Sequence, residues 1–304
     1  MNLGTVFNVG DHLQFTIVLK HLLHYYPQWK IGIECMPGCQ EIFNDLCPAF
    51  QQIHPFYWRN DYPNKKTVSF SRNPSVYVDK PSTKVTRCLL EEFNLEPIPE
   101  LYRYEIHPSN EATEKTARYI KDELHGQPFG VIHYKGTASK ELKDLSDDEA
   151  RSIVQVMKRE GLTPVILDWN DNPIADNKEI FSPSKRHPYL WNGQRYGDAG
   201  TIAALIQRAD CFFGIDSGPA HLAGATETPS CVFWKGFHPI LNFDPAPNVL
   251  HVVCDCWEGD CEQGTEALRY WEQTTNYQYY KGELKDQIEG IVSNLLEIVP
   301  DDDK

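Results

Sequence analysis

The chain has 304 residues, 41% of them hydrophobic and 24% charged, enough to bury a core in one large α/β domain or in two of about 150 residues. Its longest apolar runs fall far short of the ~18 residues of a membrane span, and no basic stretch followed by an apolar one opens it, so neither a spanning segment nor a cleaved signal peptide is expected. Lys and Arg total 29 against 43 Asp and Glu, and the net charge of −14 opposes non-specific binding to a nucleic-acid backbone.

The first half predicts a β–α–β opening. Residues 3–9 read as a strand ended by Gly10. Residues 13–25 have helical spacing (Leu13, Ile17, Leu19, Leu22, Leu23), Pro27 stops them, and residues 29–35 form the next strand. A short helix is expected over 41–46. Loops and short strands over a cleft are expected in 54–85, which are rich in Pro, Asn, Lys and aromatic residues. Helices follow over 85–93 and 110–124. Gly126, Gln127 and Pro128 break the pattern and mark a linker, which sets domains at 1–125 and 126–304.

Beyond the linker the alternation restarts. Residues 129–134 form a buried strand. Ser146 and Glu149 make a capping box for a helix that ends at Gly161, and 163–168 form the next strand. A helix over 201–209, a strand over 211–215, a helix beginning at 219, a strand over 229–234 and a final amphipathic helix over 284–299 complete a second doubly wound sheet. Charge separates the halves: 13 basic against 15 acidic residues in 1–125, but 16 against 28 in 126–304. Nine cysteines at uneven spacing argue against a secreted disulfide framework and for a reducing cytoplasm. Cys211 and Cys231 read as small buried hydrophobes.

Three strand-to-helix turns carry candidate chemistry. At Asp216–Ser217–Gly218–Pro219, with His221 following, Asp216 or Ser217 can cap a helix of small residues, Gly218 permits close approach, and Pro219 fits the first turn. The N–H groups there and the helix dipole suit a phosphate; a plain structural turn with an Asp cap is the alternative. In the loop 135–143, Thr137, Ser139, Lys140 and Lys143 offer hydroxyls and ammonium groups to a diphosphate, against the alternative of a charged surface loop. At Gly10–Asp11–His12, Asp11 would face across the cleft as a general base or serve as an N-cap.

Gly10-Asp11 with Thr16 and Leu19 resembles the Gly-Asp-x-x-x-x-Thr-x-x-Leu pattern of the bacterial heptosyltransferase family (glycosyltransferase family nine). Asp216-Ser-Gly-Pro-Ala-His-Leu-Ala-Gly-Ala225 resembles its Asp-Thr-Gly-x-x-His-x-Ala-x-Ala signature. The resemblance spans about residues 3–240. It implies a GT-B fold: two Rossmann-like doubly wound domains facing across a cleft, an N-terminal one for the acceptor and a C-terminal one for a nucleotide-diphosphate sugar. Asp11 then matches the catalytic base, with Gly10 and His12 on the acceptor side. Ser139 and Lys143, with Lys140 a rival, match the donor-phosphate ligands, and Asp216, Ser217, Gly218 and His221 match the diphosphate turn. Asp168 or Asp171 matches the residue that contacts the ribose.

The implied reaction is an inverting, metal-independent transfer of a heptose or other hexose-like sugar to a hydroxyl. The first half lacks the basic character suited to anionic lipopolysaccharide, so glycan, protein and small-molecule acceptors stay open, with at most peripheral membrane contact. The set His251, Cys254, Cys256 and Cys261 can be read as a tetrahedral zinc or iron site, or as buried and free thiols; some relatives carry a cysteine-bound iron. A non-catalytic nucleotide-sugar or glycan-binding protein on the same scaffold, or a sugar-nucleotide epimerase of GT-B shape, are the other readings.

Overall fold

The computed structural model describes residues 2–4, 9–29, 31–35, 38–43, 46, 53–55, 65–67, 84–136, 139–167, 180–181, 189–191, 194–196, 198–254 and 266–298. In the first half, β1 (Asn2–Gly4), β2 (Gly32–Cys35), β3 (Ile53–Pro55) and β4 (Lys65–Thr67) form a parallel sheet in the order β3-β2-β1-β4. Helix α1 runs Val9–Tyr25. It begins four residues before the expected start, because Gly10 and Asp11 carry no apolar period to announce it and Asp11 suits the positive end of the helix dipole. Residues 12–19 of α1 are all buried, so it is enclosed on every side rather than amphipathic.

The expected helix over 85–93 is a short turn, α2 (Lys84–Arg87), continued by π-helical Cys88–Glu92. The helix α3 (Asn110–Glu123) is capped by Ser109, whose side chain accepts from the Ala112 N–H. The short helix expected over 41–46 is a 3-10 turn, Gln40–Phe43.

The second sheet contains β5 (Phe129–His133), β6 (Thr163–Leu167), β7 (Ile180–Phe181), β10 (Cys211–Ile215), β11 (Ser230–Trp234), β12 (Val249–Cys254) and β13 (Tyr277–Tyr280), in the order β13-β12-β11-β10-β5-β6-β7, all parallel. Between β7 and β10 lies an antiparallel pair, β8 (Tyr189–Trp191) and β9 (Gln194–Tyr196). The last two strands of the sheet, β12 and β13, were not expected from the sequence. Its helices are α4 (Lys140–Lys143), α5 (Asp147–Arg159), α6 (Ala199–Ile206), α7 (Gly218–Gly224), α8 (Glu266–Thr274) and α9 (Ile288–Ile298). The capping box of α5 is complete: Ser146 accepts from the Glu149 N–H, and Glu149 accepts from the Ser146 N–H.

The strands of this sheet alternate strictly between two cores. Phe129, Val131, Phe212, Val232, Trp234, Val249 and Val253 face one cluster, which runs on without a break into the first half through α1. Ile132, Phe213, Ile215, Cys231, Phe233 and Cys254 face the other, built with α5 and α9. Both faces are covered, as an all-parallel sheet requires. Cys211 and Cys231 are fully buried and free, as expected, and no helix among the described residues is long and apolar enough to cross a membrane.

Candidate functional site

The order of the second sheet places its crossover reversal between β5 and β10: the chain leaves β5 toward β6 on one side and returns on the other. Ligand clefts form outside the carboxyl ends of the strands at such a switch point. The residues at those ends are His133, Tyr134 and Lys135 after β5, and Asp216, Ser217 and Gly218 after β10.

Lys143, on α4 after β5, reaches Asp216 at the end of β10, with Nζ 2.6 Å from Oδ2; Asp216 is 8% exposed. The same ammonium lies 5.3 Å from the centroid of the Phe237 ring. Of the two rival lysines, Lys143 is the one at the Asp216 turn, while Lys140 is exposed. Lys135 turns away to Asp147, 2.6 Å off. Ser139 precedes α4 in the left-handed region at φ 52° and its side chain makes no cap; Thr137, Asp168 and Asp171 lie outside the described residues.

Ser217 occupies the N-cap position of α7 without capping it. Its hydroxyl donates to the Ile215 carbonyl at 3.0 Å and lies 2.9 Å from His133 Nδ1, tying the end of β10 to that of β5. Pro219 stands in the first turn of α7, as its fixed φ suits.

The N-terminal turn of α1 packs directly on this turn. A Cβ on Gly10 would lie 2.4 Å from His221 Cδ2, and one on Gly218 would lie 2.7 Å from Val9 Cβ. The close approach that Gly218 permits is therefore to the other half of the chain. Asp11, in the same turn, pairs with Lys84 at 2.9 Å from Nζ to Oδ1, both side chains mostly shielded from solvent. Lys84 was missed by sequence reasoning, and nothing in its neighbourhood of the chain signals it. His12, expected on the acceptor side, is fully buried with its ring 5.9 Å from that of Phe43; it faces the interior of the first half, because successive helix residues point about 100° apart.

His221 is neutral at physiological pH. Burial pushes its pKa down to about 3, with Lys84 and Lys143 lowering it further and Asp11 opposing them. Asp11, Lys84, Lys143 and His221 thus share one electrostatic neighbourhood, in which each lysine is paired with a carboxylate.

The set His251, Cys254, Cys256 and Cys261 divides differently. His251 accepts from Trp234 Nε1 at 3.0 Å through Nδ1 and sits among Trp234, Phe243 and Trp271. Cys254, three residues on in the same strand, belongs to the core on the opposite face of the sheet. These two do not converge on one ion, and Cys256 and Cys261 lie outside the described residues.

Buried neutral histidines carry a pH signature. His133, His221, His238 and His251 are each pushed down to about 3, chiefly by burial. In the unfolded chain they titrate near ~6.5, so between about pH 3 and 6.5 the unfolded state binds more protons than the native one. The stability they contribute is complete above that window and is lost as pH falls, by up to about 1.4 kcal/mol per pH unit for each. The urea midpoint is expected to drop steadily from pH 7 to pH 5; a flat midpoint over that range would contradict their burial as neutral rings.

No protein-family model and no curated protein matches the sequence. Solved structures do match. A glycosyl transferase family 9 protein from Veillonella parvula superposes with TM-score 0.64 at 13% identity over 97% of each chain. Escherichia coli ADP-heptose lps heptosyltransferase II superposes with TM-score 0.61 at 12% identity over 97% of this chain and 98% of that one. The dodecameric, iron-containing heptosyltransferase TibC of enterotoxigenic E. coli, solved with ADP-D-β-D-heptose, superposes with TM-score 0.61 at 14% identity over 98% of this chain and 77% of its own. The fold is therefore that of the GT-B glycosyltransferases of this group.

Proposed function

We propose that the chain is an inverting glycosyltransferase that moves a heptose or similar sugar from a nucleoside-diphosphate donor to an acceptor hydroxyl. One observation carries this: Lys143, Asp216, Ser217 and His221 meet at the switch point of the second sheet, against the turn of α1 that holds Asp11. Residues 126–304 bind the donor and residues 1–125 the acceptor. Asp11 takes the proton of the acceptor hydroxyl, whose oxygen attacks the anomeric carbon as the bond to the diphosphate breaks. The leaving diphosphate gains negative charge, which Lys143 stabilises in a site from which α1 excludes water; in the first turn of α7 the N–H groups of Ala220 and His221 are already donated to the Ser217 carbonyl. The adenosine-diphosphate heptose bound by TibC supports a nucleotide-sugar donor. The acceptor is a glycan, protein or small molecule, and the odd set of cysteines supports a cytoplasmic setting.

A non-catalytic nucleotide-sugar binder is the second reading. It is favoured by the hold of Lys84 on Asp11 at 2.9 Å, an arrangement that a purely structural ion pair would share.

A thermal-shift screen against nucleoside diphosphates and their sugars tests the donor site. One nucleotide family is expected to raise the melting temperature, with about 2.7 kcal/mol of stabilisation at a hundredfold over its dissociation constant. No shift with any diphosphate at millimolar concentration would overturn the assignment.

A further inference from the structure

Tyr104 lies in none of the motifs above, yet its hydroxyl is the node of a buried polar cluster that ties α1 to α7. Gln14, on α1 three residues from Asp11, donates through Nε2 to Asp244 Oδ2 at 3.0 Å and to the Asn242 carbonyl at 3.1 Å. Tyr104 Oη accepts from the Asp244 N–H at 2.7 Å, and lies 3.0 Å from His221 Nδ1 and 3.3 Å from Asp244 Oδ2. The rings reinforce the joint: Tyr104 meets His221 edge-on at 5.5 Å, and His221 stacks on Phe243 at 4.6 Å. Gln14, Tyr104, Asp244 and His221 are all buried.

A phenol has one proton, and here two acceptors stand in line for it. An O–H donating to a carboxylate normally closes to about 2.5–2.7 Å, so the 3.3 Å to Asp244 Oδ2 is long for that bond. The 3.0 Å to His221 Nδ1 is an ordinary hydrogen-bond distance. Asp244 Oδ2 has the Gln14 amide instead. A neutral imidazole that accepts at Nδ1 carries its proton at Nε2. That edge of the ring faces the first turn of α1: a Cβ on Gly10 would stand 2.9 Å from Nε2.

We infer that Tyr104 is a positioning residue: by donating to Nδ1 it holds His221 as the Nε2–H tautomer, so that the ring presents a hydrogen-bond donor beside the first turn of α1, at the rim of the proposed donor turn. The tautomer stands on the cluster alone; that this donor serves a nucleoside diphosphate rests on the function proposed above. Asp244 acts one step further back, its N–H fixing the direction of the Tyr104 lone pair and its carboxylate fixing Gln14. The chain thus links the helix of Asp11 to the donor turn through groups separated by well over a hundred residues in sequence.

Long-range proton–nitrogen spectra of the full chain labelled with ¹⁵N-histidine test this, with the His221 signals identified by their loss in His221→Gln. The wild type is expected to show Nε2 protonated and Nδ1 as a hydrogen-bonded acceptor. In Tyr104→Phe, which keeps the ring packing, the Nδ1 resonance is expected to move and the single tautomer to be lost, while ADP or the nucleotide that stabilises the wild type binds about tenfold more weakly. A wild type protonated at Nδ1 overturns the inference without need of any variant, which covers the case of a Tyr104→Phe chain that does not fold. An unchanged His221 spectrum in a folded Tyr104→Phe overturns it as well. If the spectra behave as expected but no nucleoside diphosphate binds either form, the tautomer assignment stands and the proposed donor fails.

Discussion

Replacing Asp11 with Asn is expected to lower the rate of sugar transfer by about 10²–10⁴, the range over which a positioned general base contributes. Asparagine has nearly the shape of aspartate and keeps Oδ1 as an acceptor for Lys84, which lies 2.9 Å from that atom in the native pair, so the fold should survive. What it lacks is basicity. The proposed donor site is made by residues after β5 and β10, so donor affinity should change little. Transfer rate and donor dissociation constant, measured on the same preparation, separate the two readings: unchanged affinity with lost turnover marks a catalytic base. Full turnover in Asp11→Asn would remove Asp11 from the mechanism and leave the ion pair with Lys84 as a structural tie between α1 and α2.

Lys143→Met is expected to produce the second large effect, on both binding and stability. The ammonium stands 2.6 Å from a carboxylate that is 8% exposed, and stripping one partner from a buried pair costs about 3–5 kcal/mol because the other charge is left uncompensated. For a diphosphate at the proposed site the loss is compounded: its cation is gone and the Asp216 carboxyl group faces it alone. A hydrogen bond to a charged group is worth about 1.5–3 kcal/mol, so the donor dissociation constant should rise roughly tenfold to a hundredfold from the contact alone, and further from the carboxyl group it then faces. The double variant Lys143→Met/Asp216→Asn distinguishes these contributions. It should regain much of the lost stability, since no buried charge is left unpaired, while donor affinity stays low. Calorimetric titration beside urea unfolding provides both readings; a Lys143→Met chain that binds donor as the wild type does would move the phosphate site away from this lysine.

Some of this was legible residue by residue. The capping box at Ser146 and Glu149 and the stop at Gly161 are written in neighbours a few positions apart, as is the strand–turn–helix at Asp216–Gly218–Pro219, and local backbone chemistry is enough to decide them. The alternation of buried strands and helices after residue 128 likewise announced a doubly wound sheet, with Lys143 and Asp216 in the segments that follow two of its strands. The beginning of α1 at Val9 was hidden because a helix buried on all sides shows no polar face to set its period. Strands β12 and β13 were hidden because a fully covered strand lacks alternation, and an aromatic run such as that of β13 reads equally as packing.

By itself, then, the sequence determined the class of fold, the turns that end its strands and the residue types gathered at one edge of the sheet, because each depends on contacts within a few residues. Tertiary structure alone decided that Lys143 rather than Lys140 meets Asp216, that Lys84 holds Asp11, that His12 turns inward, and that Tyr104 and Asp244, 140 positions apart, share a hydroxyl proton's surroundings with His221. Those choices follow from which loops the parallel crossovers bring together, and a side chain's neighbours across a sheet edge leave no periodic trace in the chain on either side of it.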